Sequence, residues 1–173
     1  MMKKIVLLII TVVIIVSYVF ITNYNNMDRV EVKLVSCIDG DTARFIVNGK
    51  EEKVRFLGID TPESTNTQEE YGMDASNYTC DMLKSTNNIY LEFDINSDRY
   101  DKYDRLLAWV FIDNNNLSEL LLSKGYAEVK YIYGNYKYIS DLCKVQKQAY
   151  NNNFGIWSIG YNYKDNYCFK NNY

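Results

Sequence analysis

The sequence predicts a small, mainly β domain with helices, a closed or nearly closed barrel of five strands, preceded by an apolar N-terminal helix. Three observations predict it: apolar and polar residues alternate from Val30 to Leu34, Asn48-Gly49 joins two further alternating runs, and helix-spaced apolar residues recur between and after the strands. At 173 residues the chain has room for one ordinary domain and an appendage.

Taken in order, Met1-Met2-Lys3-Lys4 is a basic leader expected to stay in the cytoplasm, and residues 5–21 are apolar except for Thr11, Ser17 and Tyr18. That length lies at the lower edge of a membrane-spanning helix. It reads as an uncleaved signal anchor or as a signal peptide, although no Ala-x-Ala cleavage site follows; a buried core helix is the third reading. Both export readings place the remainder on the outer face of the membrane or in the medium. Residues 22–29 form an Asn-rich tether, residues 30–158 the domain, and residues 159–173 an Asn- and Tyr-rich tail that only Cys168 would tie down.

Within the domain, Val30, Val32 and Leu34 share one face of the first strand. The second, Thr42 to Val47, meets Asn48-Gly49, the commonest pair of a type I′ hairpin turn. The third carries Val54, Phe56 and Gly58 at period two, completing a meander. A polar loop over 60–69 holds the only proline, Pro62, and Tyr71, Ala75, Tyr78 and Met82 predict a helix from about Glu70 to Ser85. Ile89 to Phe93 and Leu106 to Ile112 read as strands, with a turn at 113–116. Leu117 to Lys124 reads as a helix ended by Gly125, Tyr126 to Tyr133 as a short strand, and Tyr138 to Tyr150 as a last helix burying Ile139, Leu142 and Val145 or Ala149.

Composition narrows the chemistry. The formal charge is −3, and −5 without Lys3 and Lys4, so a broad basic surface for nucleic acid is excluded and a local cationic patch or a bound cation must serve instead. With no histidine and no Cys-x-x-Cys, a structural zinc site has little support. The four cysteines, Cys37, Cys80, Cys143 and Cys168, permit up to two bridges in any of three pairings after export, or remain free thiols.

Three segments concentrate charge. Ile38-Asp39-Gly40-Asp41-Thr42 is a turn or an oxygen-rich loop, and Val54-Arg55-Phe56-Leu57-Gly58-Ile59-Asp60-Thr61-Pro62-Glu63 puts one guanidinium in a strand and two carboxylates past its end. Asp41, Asp60 and Glu63, with the Thr61 carbonyl, supply the hard oxygens that calcium prefers. Asp98 to Arg105 is a solvated charged loop or a phosphate contact through Lys102 and Arg105, with Tyr103 beside them. Tyr131, Tyr133, Tyr136 and Tyr138 follow Lys130 and can stack on bases, although the chain has 17 tyrosines and several must be ordinary core or surface residues.

Together the segments resemble the staphylococcal (micrococcal) thermonuclease family from about Val32 to Ser158. The marks are IDGDT at 38–42, VRFLGIDTPE at 54–63, YG before the Ala75 helix, DKYDR at 101–105, LLSKGYAEV at 121–129 and GIWS at 155–158. The resemblance implies an OB-type five-stranded barrel with three helices and a calcium-dependent endonuclease acting on DNA and RNA as a monomer, leaving 3′-phosphate and 5′-hydroxyl ends. It implies that Asp41 and Asp60 ligate calcium with the Thr61 carbonyl, that Glu63 orients or activates water, and that Arg55 and Arg105 stabilise the phosphoryl transition state. Lys102 and Tyr103 would bind a neighbouring phosphate, and Tyr131 and Tyr133 the sugar or base. Asp104 departs from the family's glycine; it would strain a left-handed turn or draw Arg105 from phosphate, slowing turnover. The alternative is a noncatalytic OB module that binds nucleic acid.

Overall fold

The computed structural model describes residues 10–17, 29–65, 67–163 and 165–171. Of the apolar segment, 10–17 is helical (α1) with exposed side chains; the rest of 5–21, the leader and most of the tether lie outside the described residues. Among the described residues no helix is long and apolar enough to cross a membrane.

The barrel closes from five strands: β1 (Arg29–Cys37), β2 (Thr42–Val47), β3 (Lys50–Phe56), β5 (Ile89–Glu92) and β6 (Leu106–Ile112). They run in the order β3-β2-β1-β5-β6, and a parallel β3–β6 pairing joins the ends. β1 serves both halves: its start pairs with β5 and its end with β2, with a register shift between Leu34 and Ser36 that bends it around the barrel. Such closure leaves no edge among the five and encloses Phe45, Val54, Phe56, Leu91, Leu106, Ala108 and Val110, each no more than 1% exposed.

The β2–β3 hairpin turns at Asn48 (φ 50°) and Gly49 (φ 83°), the left-handed pair that a type I′ turn requires. β3 ends at Phe56 rather than continuing to Gly58, which turns with φ 74° into β4 (Ile59–Asp60). Of the strand expected over 126–133 only β8 (Glu128–Val129) forms, paired with β4; Tyr131 at φ 58° ends it. The short β7 (Asn115–Asn116) folds back on β6.

Three longer helices cover the barrel. α2 (Gly72–Ser85) buries Gly72, Ala75, Thr79 and Leu83 at helical spacing. α3 (Leu117–Ser123) starts where the Asn116 side chain accepts the Ser118 amide, a standard N-cap. α4 (Ile139–Asn151) buries Ile139, Leu142, Cys143, Gln146 and Ala149, with Val145 only half-buried. A 3-10 turn (Gly155–Ile159) ends the domain, and the tail adds α5 (Tyr167–Lys170). It packs Tyr163 and Phe169 against Tyr150, and the Cys143–Cys168 bridge fastens it to α4. The second bridge, Cys37–Cys80, joins the end of β1 to α2.

Candidate active site

The loop between β1 and β2 is built to hold Asp41. The Ile38 and Asp39 amides donate to the Thr42 carbonyl, the Asp41 amide donates to Asp39 Oδ1 at 3.1 Å, and Thr79 Oγ1 of α2 donates to the Gly40 carbonyl at 2.6 Å. A Cβ on Gly40 would lie 2.7 Å from Thr61 Oγ1, so only glycine lets the loop approach this closely. The Cys37–Cys80 bridge anchors the same loop to α2 from one residue before it begins to turn.

Arg55 faces Thr42 across the β2–β3 ladder, which brings its guanidinium to Asp41. Nη1 lies 2.8 Å from Asp41 Oδ2 and Nη2 lies 2.9 Å from Asp60 Oδ1, and the arginine is 7% exposed. Asp41 Oδ2 also accepts the Thr61 amide at 3.0 Å and its hydroxyl at 3.2 Å. Burial pushes the Asp41 carboxyl up to about 6, with Asp39 adding to the rise and Arg55, Thr61 and Thr42 opposing it. Burial likewise raises Asp60 against the pull of Lys130 and Arg55. Two desolvated carboxylates thus share one guanidinium, and Lys130 pairs with the second oxygen of Asp60.

Glu63 sits in the loop that follows. Its backbone amide donates to Glu69 Oε2 at 2.9 Å, and its carboxylate accepts the Thr65 amide at 2.9 Å and the Thr65 hydroxyl. The loop presses onto the start of α2: a Cβ on Gly72 would fall 2.2 Å from the Glu63 carbonyl oxygen. Glu63 remains exposed at the cavity wall.

The third segment is organised by Asp101, which sequence reasoning did not single out. Asp101 Oδ1 accepts the amides of Tyr103 and Arg105, each at 2.9 Å, and Oδ2 pairs with Arg105 Nε at 2.6 Å. Burial alone would raise the Asp101 carboxyl; these hydrogen bonds and the Arg105 charge outweigh it and hold it below the ordinary range. Asp104 adopts φ 58°, the left-handed turn that glycine favours, but it is Asp101 that pairs with Arg105. Among the described residues no hydrogen bond engages the terminal nitrogens of Arg105. Lys102 Nζ lies 4.9 Å and Arg105 Cζ 5.4 Å from the centre of the Tyr103 ring.

All ten residues singled out from sequence, Asp41, Arg55, Asp60, Thr61, Glu63, Lys102, Tyr103, Arg105, Tyr131 and Tyr133, line one open cavity of about 540 Å³. Tyr103, Tyr131 and Tyr133 are 66%, 49% and 84% exposed, leaving ring faces open to a ligand. Tyr131 also stands 5.8 Å from Arg55 Cζ. Asp39, Tyr100, Asp101 and Tyr136 are also in the lining, and Lys130 joins Asp60 from the side at 3.0 Å. Of these, Tyr136 and Lys130 belong to the tyrosine-rich segment and Asp39 to the first charged motif, whereas only the density of charge around them hinted at Tyr100 and Asp101.

Among the described residues no group of three or more His, Cys, Asp or Glu side chains is placed to hold a metal ion. A smaller set carries donor chemistry of the kind a hard cation takes. Asp41 and Asp60 carry carboxylates, here paired with Arg55, Lys130 and the Thr61 amide, and Thr61 carries a backbone carbonyl; hard cations take such oxygens and complete their shells with water and substrate oxygens.

An OB-type barrel whose mouth joins paired carboxylates, two arginines, a lysine and open tyrosine rings has the chemistry to take an anionic ligand carrying flat rings. The chain belongs to the staphylococcal nuclease homologue family, whose profile matches residues 53–159. It is 41% identical over 138 residues to Endonuclease YncB of Bacillus subtilis (strain 168), a match covering 78% of this chain and 64% of that protein. It is 41% identical over 135 residues to the SPbeta prophage-derived endonuclease YokF of the same organism, covering 76% of this chain and 45% of YokF. With the Thermonuclease of Staphylococcus hyicus it shares 33% identity over 171 residues, covering 91% of this chain and 99% of that protein. The matched region thus spans less than two thirds of either Bacillus protein.

Proposed function

We propose that the protein is a calcium-dependent endonuclease that hydrolyses phosphodiester bonds in DNA and RNA as a monomer, outside the cytoplasm, leaving 3′-phosphate and 5′-hydroxyl ends. The observation that carries this reading is the convergence of the ten residues on one cavity, with Arg55 clamped between Asp41 and Asp60 and Arg105 clamped by Asp101. Family membership and relatives named as endonucleases and a thermonuclease support it. Two disulfides support an oxidising compartment, and residues 5–21 supply the export signal or anchor.

Asp41, Asp60 and the Thr61 carbonyl would hold calcium, which supplies charge to offset the phosphate and to polarise its oxygen. Glu63, a carboxylate at the cavity wall, would accept a proton from water attacking phosphorus; the chain has no histidine to do so. As the new oxygen–phosphorus bond forms, the bond to the 5′ oxygen breaks and that oxygen takes up a proton from solvent. Arg55 and Arg105 stabilise the charge that accumulates on the nonbridging oxygens, each held in advance by a carboxylate so that little reorganisation is needed. Lys102 and Tyr103 bind the adjacent phosphate, and Tyr131 and Tyr133 stack on sugar and base.

Glu63→Gln tests the assignment because it keeps shape and removes the base. Turnover should fall at least ~100-fold with an unchanged unfolding midpoint. Turnover equal to wild type would remove Glu63 from the mechanism.

A further inference from the structure

β4 and β8 pair so that Asp60 stands directly across from Glu128. Like charges facing each other across an antiparallel pair repel, and Glu128 is buried at 6% exposure. Lys130 offsets that repulsion: its Nζ lies 2.9 Å from Glu128 Oε1 and 3.0 Å from Asp60 Oδ2.

Glu128 is held from behind by the C-terminal tail. It accepts the Tyr161 hydroxyl at 2.7 Å and Asn166 Nδ2 at 2.8 Å. Asn166, 5% exposed, accepts Gln146 Nε2 at 2.6 Å and stands two residues before Cys168, whose bridge to Cys143 locks the tail to α4. The tail therefore positions Glu128, Glu128 positions Lys130, and an ammonium is delivered to one oxygen of Asp60 while Arg55 takes the other at 2.9 Å.

This arrangement has two opposed effects on a cation that uses Asp60. Ordering one short carboxylate in advance favours binding by a few-fold at most, on the order of one side-chain rotamer's entropy. A unit positive charge a few ångströms from a divalent ion disfavours binding by ~10-fold or more, even at the effective dielectric of a protein surface. Repulsion wins.

We propose that Lys130 is a built-in counter-cation that weakens calcium binding at the Asp41–Asp60 site, so that the site fills only where calcium is abundant, as it is outside cells. The inference rests on the reading of Asp41 and Asp60 as cation ligands. Lys130 is a positioning and affinity-setting residue, and contacts with substrate are not required of it.

The test is calorimetric titration of the full chain with calcium chloride, comparing wild type with Lys130→Met, Lys130→Gln, Lys130→Arg and Asp41→Asn, alongside urea unfolding without calcium. Lys130→Met should bind calcium at least ~10-fold more tightly while unfolding at lower urea, since Asp60 and Glu128 then face each other unscreened. Lys130→Gln keeps a donor for both carboxylates without the charge; it should tighten binding likewise and serves if the methionine variant fails to fold. Lys130→Arg keeps the charge and should stay within ~3-fold of wild type. Unchanged or weaker binding in a folded, uncharged variant overturns the proposal and leaves the calcium site standing, as does equal tightening by arginine. Absence of calcium binding in wild type, or binding that Asp41→Asn does not weaken, refutes the cation-ligand reading and the proposal with it.

Discussion

Replacing both Cys143 and Cys168 by serine opens a loop whose ends are 25 residues apart. In the chain-entropy relation for cross-links, a loop of that length constrains the unfolded chain by about 3.5 kcal/mol at 25 °C. Both sulfurs are buried beside the Asn166 network, so no gain from freeing the tail offsets the loss. With a denaturant slope of about 2 kcal/mol per molar urea, the unfolding midpoint should fall by about 1.5–2 M. The Cys37–Cys80 loop, whose ends are 43 residues apart, should contribute about 4 kcal/mol by the same relation. Urea unfolding followed by tryptophan fluorescence, for each double-serine variant and for the reduced protein, measures both. A midpoint shift under about 0.5 M for the Cys143–Cys168 pair would refute the idea that the bridge constrains the tail in solution.

Other perturbations separate the roles within the cavity. Arg105→Lys keeps the charge but loses the planar fork and the Nε donor that pairs with Asp101; turnover should fall about 10- to 100-fold in a steady-state cleavage assay, and unchanged turnover would count against its phosphate contact. Asp101 has a folded-state pKa depressed below its ordinary 3.8, so its stabilisation is present above that value and is lost as pH falls through the folded-state pKa. Asp101→Asn should therefore lower the unfolding midpoint at neutral pH and flatten its fall below pH 4; a parallel acid profile would contradict the linkage. Asp104→Gly removes a side chain from a φ of 58° and should raise stability by up to ~1 kcal/mol, together with faster turnover; a lower unfolding midpoint would show that the aspartate side chain supports the turn.

What the sequence disclosed followed the range of the interactions involved. The β2–β3 hairpin was legible because Asn48-Gly49 encodes its turn within two residues, and β6 because its seven consecutive residues are all apolar, as a strand buried on both faces requires. Asp41, Arg55, Asp60, Thr61 and Glu63 were legible because they fall in two compact motifs at strand ends. Gly58 and the segment after Val129 were misread as strand: alternation continues through both, while backbone at φ 74° and 58° turns the chain toward the cavity. Asp101 was hidden because a charged loop offers several equally spaced partners for Arg105, and only the folded turn selects one. The Lys130–Glu128–Asn166 chain and both disulfide pairings depend on elements distant in sequence, which no local pattern records. In the Asn- and Tyr-rich tail only Cys168 signalled an anchor, and its bridge to Cys143 is one; the buried Asn166 is a second that composition does not mark.

The most direct measurement is cleavage of single- and double-stranded DNA by the purified protein, with calcium and with a calcium chelator, with Glu63→Gln run in parallel. Cleavage that needs calcium, leaves 3′-phosphate ends and disappears in the variant is the predicted result. A folded, calcium-bound wild-type protein that binds DNA and leaves it intact would contradict the nuclease reading and make the barrel a nucleic-acid-binding module.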